Sequence, residues 1–140
     1  MYDENRGLII NRDRAKQLIS FGGLIRRRNI SPTDIDFLID YSGRSFVYGE
    51  FKLEGAEEKK GQIKALENIV NSHEKASHLS CAFIVYHNVP IQDDIIPEIL
   101  TIDRVYHNEV WHDWRLKNAT VLEFLRRWEE YCEKINNIKL

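Results

Sequence analysis

Apolar and polar positions recur along the chain with two periods, near 3.6 for helices and 2 for strands, and these divide it into elements. Over residues 11 to 22, Ala15, Leu18, Ile19 and Gly22 share a helical face, Asn11 stands at the N-cap, and Gly22-Gly23 stops the helix. Leu24 to Ile30 reads as a short strand stopped by Ser31-Pro32. Residues 35–41 (IDFLIDY) and 46–53 (FVYGEFKL) are strand-like, and the Ser42-Gly43-Arg44 turn joins them as a hairpin. Residues 57–71 switch to helical period, with Ile63, Leu66, Ile69 and Val70 on one stripe. Leu79 to Tyr86 is nearly all apolar, as a central strand covered on both faces should be. Asn88 to Leu100, with Pro90 and Pro97, reads as irregular, and residues 101–115 as a short strand or hairpin around His107-Asn108. Thr120 and Glu123 then fit a capping box ahead of a helix whose stripe is Val121, Phe124, Leu125, Trp128, Cys132 and Ile135.

This order predicts an α/β fold, a mixed central β-sheet flanked by α-helices. No repeat, low-complexity tract or linker interrupts it, so residues 1–140 are expected to form one domain.

One strand breaks the pattern. Phe46, Val47, Tyr48 and Phe51 read as buried, yet Glu50 and Lys52 charge its end. Alternation puts Phe46, Tyr48, Glu50 and Lys52 on one face, and Asp36, Leu38 and Asp40 on one face of the preceding strand. A three-residue turn centred on Gly43 sets Asp36 opposite Glu50 and Asp34 opposite Lys52; a two-residue turn sends the acids to opposite faces. Opposed carboxylates need a proton or a cation between them. An all-oxygen set suits Mg²⁺ or Mn²⁺ rather than zinc. With Lys52 on the same face, the set has the parts needed for phosphodiester hydrolysis: a cation to activate water, and an ammonium to orient it or stabilise the transition state. Against this stands a plain amphipathic hairpin with solvated charges. Gln62, in line with Leu66 and Ile69 on the next helix, either points at this site or sits where the helix leaves the core.

Composition narrows the classes. With 43% apolar and 30% charged residues in 140, the chain reads as soluble and globular. No apolar run approaches the roughly 20 residues of a membrane span and no signal-peptide pattern opens the chain, so a cytoplasmic protein with no membrane partner is expected. Cys81 and Cys132 are too few for a disulfide scaffold and too far apart in sequence for a thiolate zinc pair. A net charge of −2 argues against bulk nucleic-acid binding but leaves room for a local patch, for which Arg26, Arg27 and Arg28 compete with a solvated strand or loop.

Taken together, "PTDID" (32–36), "GEFK" (49–52) and "GQIKAL" (61–66) resemble the PD-(D/E)xK nuclease superfamily, and within it small phage-type members. The resemblance spans residues 32 to about 66, and the element order extends it to about residue 87; the C-terminal third matches nothing in that pattern. It implies a restriction-endonuclease-like core that cleaves DNA with Mg²⁺, phage-encoded and acting in a bacterial cytoplasm. Asp36 and Glu50 would be metal ligands with the backbone carbonyl of Phe51, Lys52 the catalytic lysine, and Gln62 the accessory helix residue. Asp34 would be a partner of Lys52 rather than a ligand, and Glu4 or Asp13 would supply any acid from the first helix. Lys59 and Lys60, with Arg26 and Arg28, are the candidate DNA contacts. The acidic net charge suits a homo-oligomer that builds its DNA surface by association. It also suits the other reading, a nuclease-fold DNA-binding or assembly module with weak or lost catalysis.

Three further signals carry less. His107, His112, Asp103 and Asp113 match no ligand spacing and read first as surface residues rather than a second metal site. Trp111 and Trp114 either stack on exposed bases or belong to the core or an oligomer contact. Arg126 and Arg127 fall on the solvent side of the last helix.

Overall fold

A computed structural model describes residues 6–9, 11–18 and 20–140, which divide into two units, Met1–Thr33 and Asp34–Leu140. In the first unit the helix is a single turn, α1 (Arg12–Ala15), with Asn11 Oδ1 accepting from the Arg14 N–H at 3.3 Å. The expected continuation to Gly22 is absent: Gly22–Leu24 is a 3₁₀ turn. The expected strand over Leu24–Ile30 is also absent. Arg27–Asn29 is a second 3₁₀ turn in which Arg28 and Asn29 both have φ near +60°, a left-handed conformation that no strand can hold. Ile19, placed on the helical face, lies outside the described residues.

The second unit holds the sheet: β1 (Phe37–Asp40), β2 (Ser45–Leu53), β3 (Leu79–His87), β4 (Arg104–His107) and β5 (Val110–Asp113), in that spatial order. β2 and β3 run parallel and every other neighbour is antiparallel. A parallel pair needs a crossover, which α2 (Lys60–Lys75) supplies. The helix begins three residues later than its sequence pattern and runs four residues further. β3, the expected central strand, is the middle one, and Ser80 to Val85 are fully buried.

Alternation sorts the residues onto two faces. Val47, Cys81, Phe83, Val85 and Val105 pack against Val121, Phe124, Trp128 and Cys132 of the C-terminal helix, α3 (Val121–Glu130) and its π-helical extension Tyr131–Ile135. Tyr48, Ala82 and Tyr106 pack against Leu66 and Val70 of α2. Thr120 caps α3 as its motif predicts, Oγ1 accepting from the Glu123 N–H at 3.2 Å. Ile135, placed on the apolar stripe, is 71% exposed instead. The wider π turn rotates the residues beyond Cys132 off the 3.6-residue period.

Both hairpins follow their turn residues. Ser42 and Gly43 have positive φ, and Asp40 Oδ1 accepts from the Gly43 N–H at 2.6 Å. The Tyr41 N–H then donates to Ser45 O at 2.9 Å, which closes a three-residue loop. Asn108 and Glu109, also at positive φ, make the two-residue turn between β4 and β5. Among the described residues no helix is long and apolar enough to cross a membrane.

Candidate metal and phosphate site

Gly49 explains how β2 carries charge on one side without losing its core on the other. Its register partners are Phe37 and Phe83, and a Cβ at Gly49 would lie 2.3 Å from Phe83 Cζ. Only glycine lets that ring lie against β2. Phe83 then meets Phe37 at 5.2 Å, Phe51 at 5.9 Å and Phe124 at 5.7 Å between centroids. The aromatic cluster fills the α3 side, and Glu50 and Lys52 emerge towards α2.

The register is the one a three-residue turn dictates: Phe37 faces Gly49 and Leu38 faces Tyr48, so the next step back sets Asp36 beside Glu50. The strand itself stops at Phe37, two residues later than its sequence pattern starts, because the chain bends at Asp36. Ile35 accordingly packs with the α2-side cluster. The Asp36 carboxylate takes over where the ladder ends, Oδ2 accepting from the Phe51 N–H at 2.9 Å. In an antiparallel pair a residue turns its N–H and C=O to the same neighbour. The Phe51 carbonyl is therefore directed to the side where Asp36 stands.

Glu50 is 2% exposed, and its Oε1 is buried with no hydrogen-bond donor. Its pKa is pushed up to about 8, first by burial, then by a hydrogen bond shared with the Asp36 carboxyl and by that group's charge; Asp34 adds to the rise and Lys52 opposes it. The protonated form of Glu50 is therefore favoured well above the usual carboxylate range. A hard divalent cation can replace that proton. Two carboxylates and a backbone carbonyl, all oxygen, fit such an ion. Among the described residues no three or more His, Cys, Asp or Glu side chains are grouped to hold a metal, so the candidate set has two side-chain ligands.

Lys52 and Gln62 meet: the ammonium donates to Gln62 Oε1 at 2.6 Å, and both side chains are half-buried. The helical wheel places Gln62 on the inward stripe, and the structure aims it at Lys52 rather than into solvent. The expected partner, Asp34, is exposed and makes no ion pair with Lys52. The Asp36 bend ends the strand before the pairing could reach it.

A second set of polar residues has no signature in the sequence. Glu58, just ahead of α2, accepts from the Tyr86 hydroxyl at 2.5 Å and from the Arg104 guanidinium. Burial, then that hydrogen bond, pushes the Tyr86 pKa up to about 12, so the phenol remains a donor. Arg104 lies 4.9 Å over the Trp111 ring, whose Nε1 donates to Glu67 Oε1 of α2 at 2.9 Å. The Glu58 contacts fasten the approach to α2 onto β3 and β4 one turn before Gln62, and the Trp111–Glu67 bond ties the helix to β5 beyond it. Tyr86 and Arg104 have the face parity of Glu50, but that becomes visible only once β3 is known to pair with β2 and β4.

The remaining candidates are spread out. Lys59 and Lys60 are exposed at the start of α2, on the turn that leads to Gln62. Arg26 and Arg28 belong to the first unit and are exposed on its turns, not on a strand. Asp13 also belongs to that unit, and Glu4 lies outside the described residues. Of the four candidates for a second metal site, Asp113 pairs with Arg115 at 2.7 Å. His107 is half-buried rather than superficial: its Nδ1 lies 3.2 Å from Glu74 Oε1 and its ring stands edge-on to Trp128 and Tyr131. No family model, curated protein or solved structure matches the chain.

Proposed function

We propose that this protein is a metal-dependent deoxyribonuclease with a restriction-endonuclease-like core of the PD-(D/E)xK kind. The observation that carries the reading is a convergence on one face of the sheet. Asp36 and Glu50 stand side by side with a buried, donorless carboxyl oxygen, and Lys52 is held next to them by Gln62. Burying the Glu50 carboxyl with an oxygen that meets no donor, beside the exposed Asp36 carboxylate, is costly unless something positive comes between them. The strand–helix–parallel strand order from β2 through α2 to β3 also agrees with the motif order.

Asp36, Glu50 and the Phe51 carbonyl would hold Mg²⁺ or Mn²⁺. Bound there, the ion lowers the pKa of a water and offsets charge on the phosphate under attack. Glu50 gives up its proton to become a ligand. Lys52 donates to the attacking water or to a phosphate oxygen as negative charge builds in the transition state. Gln62 keeps the ammonium aimed by occupying one of its three donors, which leaves two for water and phosphate. Water oxygen bonds to phosphorus while the bond to the sugar oxygen breaks, giving a phosphomonoester and an alcohol. Lys59 and Lys60 approach the phosphate backbone from the start of α2.

The test is cleavage of a labelled panel of duplex, single-stranded, flap and junction DNA with Mg²⁺ or Mn²⁺. Lys52→Ala and Asp36→Ala should each lower cleavage by about 10²–10³-fold, the size seen when one transition-state contact is removed, with the thermal midpoint preserved. Calorimetry with Mn²⁺ should show binding lost in Asp36→Ala and kept in Lys52→Ala. DNA binding without cutting under any divalent ion would replace this reading with that of a nuclease-fold binding or assembly module.

A further inference from the structure

On the opposite side of the sheet, between the β4–β5 hairpin and α3, lies a groove of about 660 Å³, within the range of small-molecule sites (roughly 300–1,000 Å³). Its walls are aromatic: Trp114, Trp128, Tyr131 and His107. Trp114 stands edge-on against Phe124 at 5.3 Å between centroids, which fixes the indole. Lys117 Nζ lies over the Trp114 ring, 5.1 Å from its centroid, and Arg127 Cζ lies over it at 5.9 Å, both as cation–π contacts. Both cations are exposed, and among the described residues neither has a carboxylate partner. The one carboxylate on the lining, Asp113, is already neutralised by Arg115, whose Nε and Nη2 donate to it at 3.0 and 2.7 Å.

Aromatic rings beside two cations that rest on an indole and, among the described residues, have no carboxylate partner suit a ligand that is itself planar and anionic. A purely apolar ligand would leave the cations unused, and an acidic peptide would leave the aromatic planes unused. We infer that this groove binds a nucleotide, its base against the half-buried Trp114 and Tyr131 rings and its phosphate on Lys117 and Arg127. The residues involved face α3, whereas Asp36, Glu50 and Lys52 face α2, so the site is separate from the proposed nuclease centre. It does not depend on that centre being active. The same chemistry comes either from a free mononucleotide or from an unpaired nucleotide within a DNA strand.

The two sources separate in one experiment on the full chain with the divalent ions chelated. Binding of dAMP is followed by calorimetry, and that of a fluorescent oligo-dT of about eight nucleotides, within the span of single-strand sites, by anisotropy. Binding of dAMP at one site per chain assigns a mononucleotide, and binding of the oligonucleotide alone assigns an unpaired strand. In either case the double variant Lys117→Glu/Arg127→Glu should weaken binding at least tenfold, and Lys52→Ala should leave it unchanged. Both reversed side chains are exposed, so the variant should keep the wild-type thermal midpoint; Trp114→Leu gives an independent loss of binding. Absence of binding by either probe, or affinity unmoved by the charge reversal, would overturn the assignment. So would a change of oligomeric mass in the double variant without loss of binding, which would make the groove a contact between copies. Failure of the nuclease reading would show elsewhere, as cleavage insensitive to Lys52→Ala.

Discussion

The two faces of β2 are built from neighbouring residues and do opposite things. Towards α3, Val47, Gly49 and Phe51 lie in a dry aromatic cluster whose tightest point is the Phe83 ring over Gly49. Towards α2, Tyr48, Glu50 and Lys52 begin as core and end as charge, with a buried acid oxygen that lacks a donor. The contrast teaches that the packed face positions the charged one. The aromatic cluster holds β2 in register with β1 and β3, and that register alone brings Asp36 to Glu50.

The comparison is broken most severely by removing the charge question from Glu50. Its folded pKa near 8 lies above the unfolded value of about 4.5, so the folded state holds a proton the unfolded state has released. The stabilisation is full below about pH 4.5 and is lost as pH rises through about 8. Relative to Glu50→Gln, which cannot ionise, wild-type stability should therefore fall between these limits by up to about 5 kcal/mol. Urea unfolding of both proteins across pH 4.5 to 8.5 measures this, and a constant difference between them would mean that Glu50 is already ionised. Under the metal reading, Mg²⁺ should recover the loss at the alkaline end.

Next comes the dry face. Gly49→Ala forces a methyl group into the fully buried Phe83 ring and should destabilise by about 1–3 kcal/mol, seen as a lower thermal midpoint. Cleavage should fall with it wherever the Asp36–Glu50 register is disturbed. Gln62→Ala leaves the fold alone and releases Lys52. It should lower the cleavage rate about tenfold, less than Lys52→Ala, because the ammonium is still present but no longer aimed. The smallest effect serves as a control on the same helix. Gly61 lies within α2 and has open space where a Cβ would stand, so Gly61→Ala should raise stability by about 0.5–1 kcal/mol.

Much of this is legible in the sequence because it depends on local period. The hairpin, the buried β3 and the capped α3 each follow from residues close in sequence, whereas the turn length and the direction of Gln62 each admit two readings between which the structure decides. The failures have physical causes as well. Leu24–Ile30 has strand composition, but its backbone closes into a turn in which Arg28 and Asn29 take positive φ. Ile135 sits on the right helical stripe for a 3.6-residue period, which the π turn ends. Pairing Asp34 with Lys52 assumes a straight strand, and the chain bends at Asp36.

By itself, then, the sequence determined which residues of each strand share a face, because alternation is local, and it set Asp36 with Glu50 and Lys52 only for a three-residue turn, which the structure has. Only the tertiary structure decided how deep Glu50 is buried, that Gln62 rather than Asp34 holds Lys52, and that Glu58, Tyr86 and Arg104 pin the helix that carries Gln62. Those outcomes depend on which strands become neighbours and how α2 lies across them. Contacts between residues distant in the chain fix both, and no local period records them.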